Sequence, residues 1–233
     1  MARAPRVGRD AGAAGRVIYL YAIAEELTGL PDVRGVDGAP LGRRSVEGLD
    51  LVVSEHDGAE VAASEEAVLA HARVVEGLVE RADALLPARF GRGFRDEAAL
   101  RDAIEGRAAS LRDALAQVRG CVEIGVRVLA AEPAPPPATE SGRAYMEARL
   151  ARSEETERLA RELHEPLAAL ARAATRTVGA TPRLLLSGAY LVEPGALEAF
   201  RRRVDELEAE HSELTFVSTG PWPPYSFAPG GET

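Results

Sequence analysis

Val17-Ile18-Tyr19-Leu20-Tyr21-Ala22-Ile23 is apolar on both alternating faces, which predicts a central strand covered on both sides rather than a half-exposed one. A connection rich in Gly, Pro and Asp runs from Gly29 to Gly42, and Leu49-Asp50-Leu51-Val52-Val53 reads as a second strand. Ser64, with Glu65 and Glu66 behind it, has the form of a helix N-cap and acidic first turn, after which Val68, Ala72, Val75, Val79 and Ala82 recur at helical spacing. His71 lies beside that stripe, where a lone histidine is expected to be a satisfied border residue and not a ligand. Leu85-Leu86-Pro87-Ala88-Arg89-Phe90 predicts an edge strand or a strand start, because proline cannot donate to a ladder. Gly91-Arg92-Gly93 then turns the chain into a second helix with Leu100, Ile104, Leu111, Leu115 and Val118 on one face and Gly120 as its stop.

Val122, Ile124, Val126 and Val128 alternate with Glu123, Gly125 and Arg127, the clearest strand pattern in the chain. The order to this point is ββαβαβ, a sheet with helices against it, resembling a ferredoxin-like α+β sandwich with altered strand order over residues 17–130. Residues 131–140 hold a Pro-rich run that predicts a semi-rigid linker. From Ser141 to about Val178 the pattern is helical. Its first half is polar, with Glu154/Arg158 and Glu157/Arg161 as i,i+4 pairs; its second half carries Leu159, Leu163, Leu167, Leu170, Ala174 and Val178, with Pro166 predicting a kink or break. Leu184 to Val192 reads as a strand, the stretch after Pro194 as a helix with Leu197, Phe200, Val204 and Leu207 on one side, and Leu214 to Ser218 as a last strand. A βαβ crossover favours pairing those two strands in parallel, yet two strands are too few for a sheet, so more must come from the connecting segments or the first domain. The fold class is thus α+β with two domains: residues 17–130, and residues 141–227 as a helical α+β domain with a docked aromatic tail. Residues 1–16 and 228–233 are expected to be a disordered leader and a flexible end.

That tail, Thr219-Gly220-Pro221-Trp222-Pro223-Pro224-Tyr225-Ser226-Phe227, holds the only tryptophan. Its prolines exclude an α-helix, so it is expected to be extended. Chain ends fray unless tied down, and aromatic burial supplies the tie. Two readings follow. The segment is either an internal strap across the chain's own domains or an adhesive strip for a partner, for which Trp and Tyr are favoured anchors.

Composition narrows the chemistry. The formal net charge of −9 over 233 residues argues against a nucleic-acid partner, whose phosphates call for cationic neutralisation. No lysine occurs, which removes a Schiff-base nucleophile and a P-loop lysine together. Cys121 is single and lies in an apolar run, so it reads as core, no internal disulfide is possible and a reducing cytoplasm fits. No apolar run is long enough for a membrane span. Gly91-Arg92-Gly93-Phe94-Arg95-Asp96 imitates a dinucleotide fingerprint but lacks the third glycine, and Asp96 fits a helix N-cap instead. His164-Glu165 starts like a zinc-protease helix without its second histidine. No catalytic, cofactor-binding or metal-binding residue is therefore expected.

Four stretches together resemble the gas vesicle protein GvpL/GvpF family: Tyr19-Leu20-Tyr21-Ala22-Ile23, Leu86-Pro87-Ala88-Arg89-Phe90-Gly91 with Phe94, Glu123-Ile124-Gly125-Val126-Arg127-Val128, and the Thr219–Phe227 tail. Gly142-Arg143-Ala144-Tyr145-Met146 is a weaker fifth. Arg92 departs from the small hydroxyl residue that the family commonly places after Arg-Phe-Gly, and both subtypes, L and F, remain open. The resemblance implies a non-enzymatic accessory protein of gas vesicle formation, cytoplasmic and vesicle-associated, whose partners are the major hydrophobic shell protein and other accessory gas vesicle proteins. Trp222, Tyr225, Phe227, Arg89 and Phe90 are the candidate partner-binding or interdomain-strap residues. The alternative class is a small-molecule-sensing ferredoxin-like regulatory protein.

Overall fold

A computed structural model describes residues 16–58, 60–130, 141–179, 181 and 183–229. The expected leader up to residue 15, the expected linker, and the end from residue 230 on lie outside the described residues, while Arg16, expected to end the leader, begins the first strand. The elements in chain order are β1 (Arg16–Glu25), β2 (Gly42–Val46), β3 (Leu49–Asp57), α1 (Glu65–Val79), β4 (Ala84–Pro87), β5 (Gly93–Phe94), α2 (Glu97–Glu105), α3 (Ala108–Val118), β6 (Val122–Ala130), α4 (Gly142–Ala168), β7 (Ala173–Val178), β8 (Leu184–Val192), α5 (Leu197–Glu210) and β9 (Leu214–Trp222). They form two sheets, β2-β3-β1-β4 with β5 also on β1, and β7-β8-β6-β9. The chain divides into two compact units, Met1–Arg81 with Ala88–Ala108, and Ala82–Pro87 with Ala109–Thr233.

In the first unit β1 is interior to its sheet and buried from Val17 to Ala24, as its unbroken apolar run requires. The hairpin β2-β3 was hidden in the sequence because its turn, Glu47-Gly48, is not one of the usual dipeptides. Both residues have positive φ, 53° and 75°, the two-residue geometry whose twist matches the flanking strands. Ser64 caps α1 by accepting from the Ala67 N–H. The buried face of α1 is Ala67, His71, Val74, Val75 and Leu78, whereas Val68 and Val79 are exposed. The expected stripe was thus turned partly to solvent, and His71 sits in the core instead of at its border. The single helix expected after Gly93 is two, broken at Gly106 and Arg107.

The second unit corrects the domain reading. Val122–Ala130, expected to close the first domain, is an interior strand here, antiparallel to both β8 and β9. The expected direct pairing of β8 with β9 does not occur; β6 separates them. The helix expected to reach Val178 stops at Ala168, two residues after Pro166, and the Arg172 N–H donates to the Leu191 carbonyl as β7 begins. Thr175, Thr177 and Val178 are β-branched, so once the proline has interrupted the helical ladder the sheet is the better home. One side of this sheet packs Ile124, Val126, Val128, Leu186, Tyr190 and Phe216 against Ala160, Leu163 and Leu167 of α4 and Phe200, Val204 and Leu207 of α5. Tyr190 lies flat over Gly188, where an added Cβ would come within 2.6 Å of the ring.

Candidate partner-binding surface

The opposite face of the second sheet is made by alternate residues. Register aligns Thr175, Ala189, Gly125 and Thr219 in one row and Thr177, Ser187, Arg127 and Val217 in the next. Thr175, Thr177, Arg127, Val217 and Thr219 are exposed. The face holds a hollow of about 260 Å³, walled by Glu123, Thr175, Ser187, Thr219, Trp222 and Ser226. Gly125 floors it because a Cβ there would stand 2.8 Å from the Thr219 hydroxyl.

The tail closes one end of this face. β9 continues through Gly220 and Pro221 to Trp222, which pairs with Glu123, and an extra residue on β9 bulges the strand between Thr219 and Trp222. Gly220 is obligatory: its φ is +110°, and a Cβ would lie 2.6 Å from the Glu123 carbonyl oxygen. Beyond the buried Pro223 and Pro224 the chain is not extended as expected but forms one 3-10 turn, Tyr225–Phe227. Proline excludes the interior of an α-helix, not a single turn that follows it. The turn touches β4 and is latched by Glu123, whose Oε2 accepts from the Ser226 N–H at 2.8 Å and whose Oε1 accepts from Ser226 Oγ at 2.7 Å. Burial pushes the Glu123 carboxyl up and the two Ser226 hydrogen bonds pull it back, leaving it above the usual range.

The five residues singled out by sequence therefore separate. Trp222 is 48% exposed at the rim of the open face, whereas Tyr225 and Phe227 are half-buried. Arg89 and Phe90 belong to the first unit. Phe90 is half-buried there, with its ring edge-on to Tyr19 and His71 at 6.1 and 5.9 Å between centroids; Arg89 is exposed. Sequence reasoning missed Glu123 and Ser226. Alternation placed Glu123 on the polar side of its strand, where a carboxylate is ordinarily solvated, and nothing local signals that a residue 103 positions later covers it.

A second buried network holds the first unit's core. His71 Nε2 donates to the Ala88 carbonyl at 3.0 Å, so its Nδ1 accepts from the Tyr19 hydroxyl at 2.9 Å, which in turn accepts from the Gly91 N–H. Burial holds His71 below the usual histidine range and pushes Tyr19 up to about 12. Ser54 Oγ lies 2.7 Å from His56 Nε2, and His56 Nδ1 is 3.8 Å from Asp37, an order that imitates a hydrolytic triad. The imitation fails on access. Ser54 is 1% exposed and its hydroxyl is shared with Tyr21 at 2.9 Å, while 3.8 Å is too long for the orienting hydrogen bond. Among the described residues no group of His, Cys, Asp and Glu could hold a metal ion, and no helix is long and apolar enough to cross a membrane.

The two-sheet architecture with a latched aromatic tail defines the class. Crystal structures of GvpF from Anabaena sp. PCC7120 and from Microcystis aeruginosa have the same fold: TM-scores are 0.73 and 0.71 at 20% and 19% identity, over 91% of this chain and 96% and 98% of those chains. At the level of sequence, the gas vesicle synthesis protein GvpL/GvpF family model matches residues 17–229. Gas vesicle protein F2 of Halobacterium salinarum is 33% identical over 90% of this chain and 91% of its own length. Gas vesicle protein L of a Streptomyces species is 31% identical over 91% and 93%. The chain belongs to the GvpL/GvpF family, and its role lies with gas vesicles.

Proposed function

We propose that this protein is a non-enzymatic accessory factor of gas vesicle assembly, acting in the cytoplasm and at the vesicle, that binds the hydrophobic shell protein and other gas vesicle proteins. The observation that carries the reading is Trp222. The tail around it is fixed by the Glu123–Ser226 latch, the buried Pro223 and Pro224 and the Gly220 bulge, yet about half of its indole surface remains open beside a sheet face of small and hydroxyl side chains. An aromatic ring held rigidly and left exposed meets a partner at low entropic cost. The shell subunit, strongly apolar and self-assembling, is an aggregation hazard until it joins the shell, and an acidic chain offering such an anchor suits its handling. A further exposed apolar group is on the first half of α4, where Tyr145, Met146 and Leu150 face solvent at 40%, 60% and 62%.

The triad-like order at Ser54 does not count against the non-enzymatic reading, because Ser54 is inaccessible. The ligand-sensing alternative draws little support from the two hollows described, of about 260 and 400 Å³: both open to the surface, and Arg34 and Arg73, which line the one of 400 Å³, are themselves exposed. Co-expression of the tagged chain with the major shell protein, beside an acidic control protein of similar size, tests the function. Specific recovery of the shell protein is expected. Recovery of other accessory proteins only, or of nothing, would overturn shell binding.

A further inference from the structure

β9 ends its sheet: among the described residues its backbone ladder partner is β6 alone. Its other side is a row of N–H and C=O groups with no strand beside it. Thr215, Val217, Ser218, Thr219 and Gly220 are all exposed along this edge. Long free edges are normally blunted by lysines, prolines, inward charges or bulges. Here the bulge at Gly220 and the proline at 221 protect only the last residues, while Leu214 to Thr219 carry none of these devices. In a chain of net charge −9, the nine residues of β9 hold no charge at all.

We infer that the β9 edge is a strand-addition site, which takes an extended, uncharged segment of the apolar partner in antiparallel or parallel continuation of the second sheet. The inference rests on the partner-binding function proposed above and specifies how the partner is held. Charge selects the occupant. A charged strand would find no counter-ion on β9 itself, and two copies of this chain, each of net charge −9, repel one another as whole molecules, whereas an uncharged apolar strand meets no electrostatic cost. Main-chain hydrogen bonds supply the affinity in such an arrangement, and alternate side chains supply the selectivity. On the open face those alternate side chains would lie beside Thr215, Val217 and Thr219 and reach the exposed indole of Trp222, so one extended segment engages both features.

The test uses the full chain co-expressed with the major shell protein. Thr215→Lys combined with Val217→Lys places two lysines on exposed edge positions, the means by which natural edges avoid pairing; Leu69→Lys, at an exposed position of α1, is the control. Thermal melts establish that each variant is folded. The double variant is expected to lose at least about tenfold in captured shell protein, the equivalent of one decade in affinity, while Leu69→Lys retains it. Backbone amides of 214–219 are expected to exchange more slowly in the complex. Undiminished capture by the folded double variant, or capture without slowed exchange in β9, would overturn the strand-addition site and leave the proposed function standing. Absence of capture by the wild-type chain would overturn both. A concentration-dependent dimer of the wild-type chain that the lysines dissolve would assign the edge to a second copy and overturn the inference.

Discussion

Replacing Trp222 with alanine separates an internal strap from an adhesive anchor. The indole is 48% exposed, so about half of a ring worth roughly 200 Å² is covered by the protein itself. At about 25 cal/mol per Å², the roughly 100 Å² that is covered corresponds to about 2.5 kcal/mol, an upper bound because the unfolded chain already covers part of its apolar surface. The expected loss is therefore about 1–2.5 kcal/mol, below the roughly 3–5 kcal/mol of a fully buried aromatic. Urea unfolding at constant m-value measures it, and capture of the co-expressed shell protein by the folded variant measures the partner contribution. The variant should remain folded and lose most of its capture. A stability loss above about 3 kcal/mol together with undiminished capture would refute the reasoning, and Trp222 would then be a strap that no partner touches.

Glu123→Gln tests the latch. The raised carboxyl means that the folded state binds its proton more readily than the unfolded chain does, so the carboxylate's contribution to stability falls as pH rises from the ordinary glutamate range through the raised value. The amide variant should lose that pH dependence and be no less stable at about pH 7, as read by thermal melts across about pH 4–8. For His71 the sign is reversed: its lowered value makes stability fall as pH drops below about 6.5, the ordinary histidine range, because the unfolded chain protonates first. His71→Gln should flatten that acid slope and cost about 1–3 kcal/mol at neutral pH by disturbing the Tyr19 and Ala88 partners, measurable by urea unfolding across pH. Gly220→Ala, with a Cβ forced to 2.6 Å from the Glu123 carbonyl oxygen at φ +110°, should destabilise by about 1–3 kcal/mol or release the tail, seen as faster amide exchange from Thr219 to Ser226.

Much of the architecture was legible along the chain because it is local. The buried run of β1, the Ser64 and Asp96 caps, the core stripe of α5 and the alternation of β6 each follow from residues a few positions apart. Asp96 accepts from the Ala99 N–H, so the turn at Gly91-Arg92-Gly93 leads into a capped helix and not into a phosphate cradle. The candidate surface was legible only in part. Exposure of Trp222 and half-burial of Tyr225 and Phe227 depend on what folds back over them, and the spacing of aromatics in the tail is the same in either case.

Sequence by itself determined the types of β1, β3, α1, β6, β8 and α5, the family, and the need of β8 and β9 for additional strands. Tertiary structure decided which strands those were: β6, taken from the far side of the Pro-rich run, and β7, taken from a stretch whose apolar residues also fit a helix. It also buried Glu123 beneath Ser226 and His71 beneath Tyr19. The physical reason is the same in each instance. Periodicity reports which side of an element is apolar, whereas the partner that covers that side is chosen by contacts between residues distant in the chain.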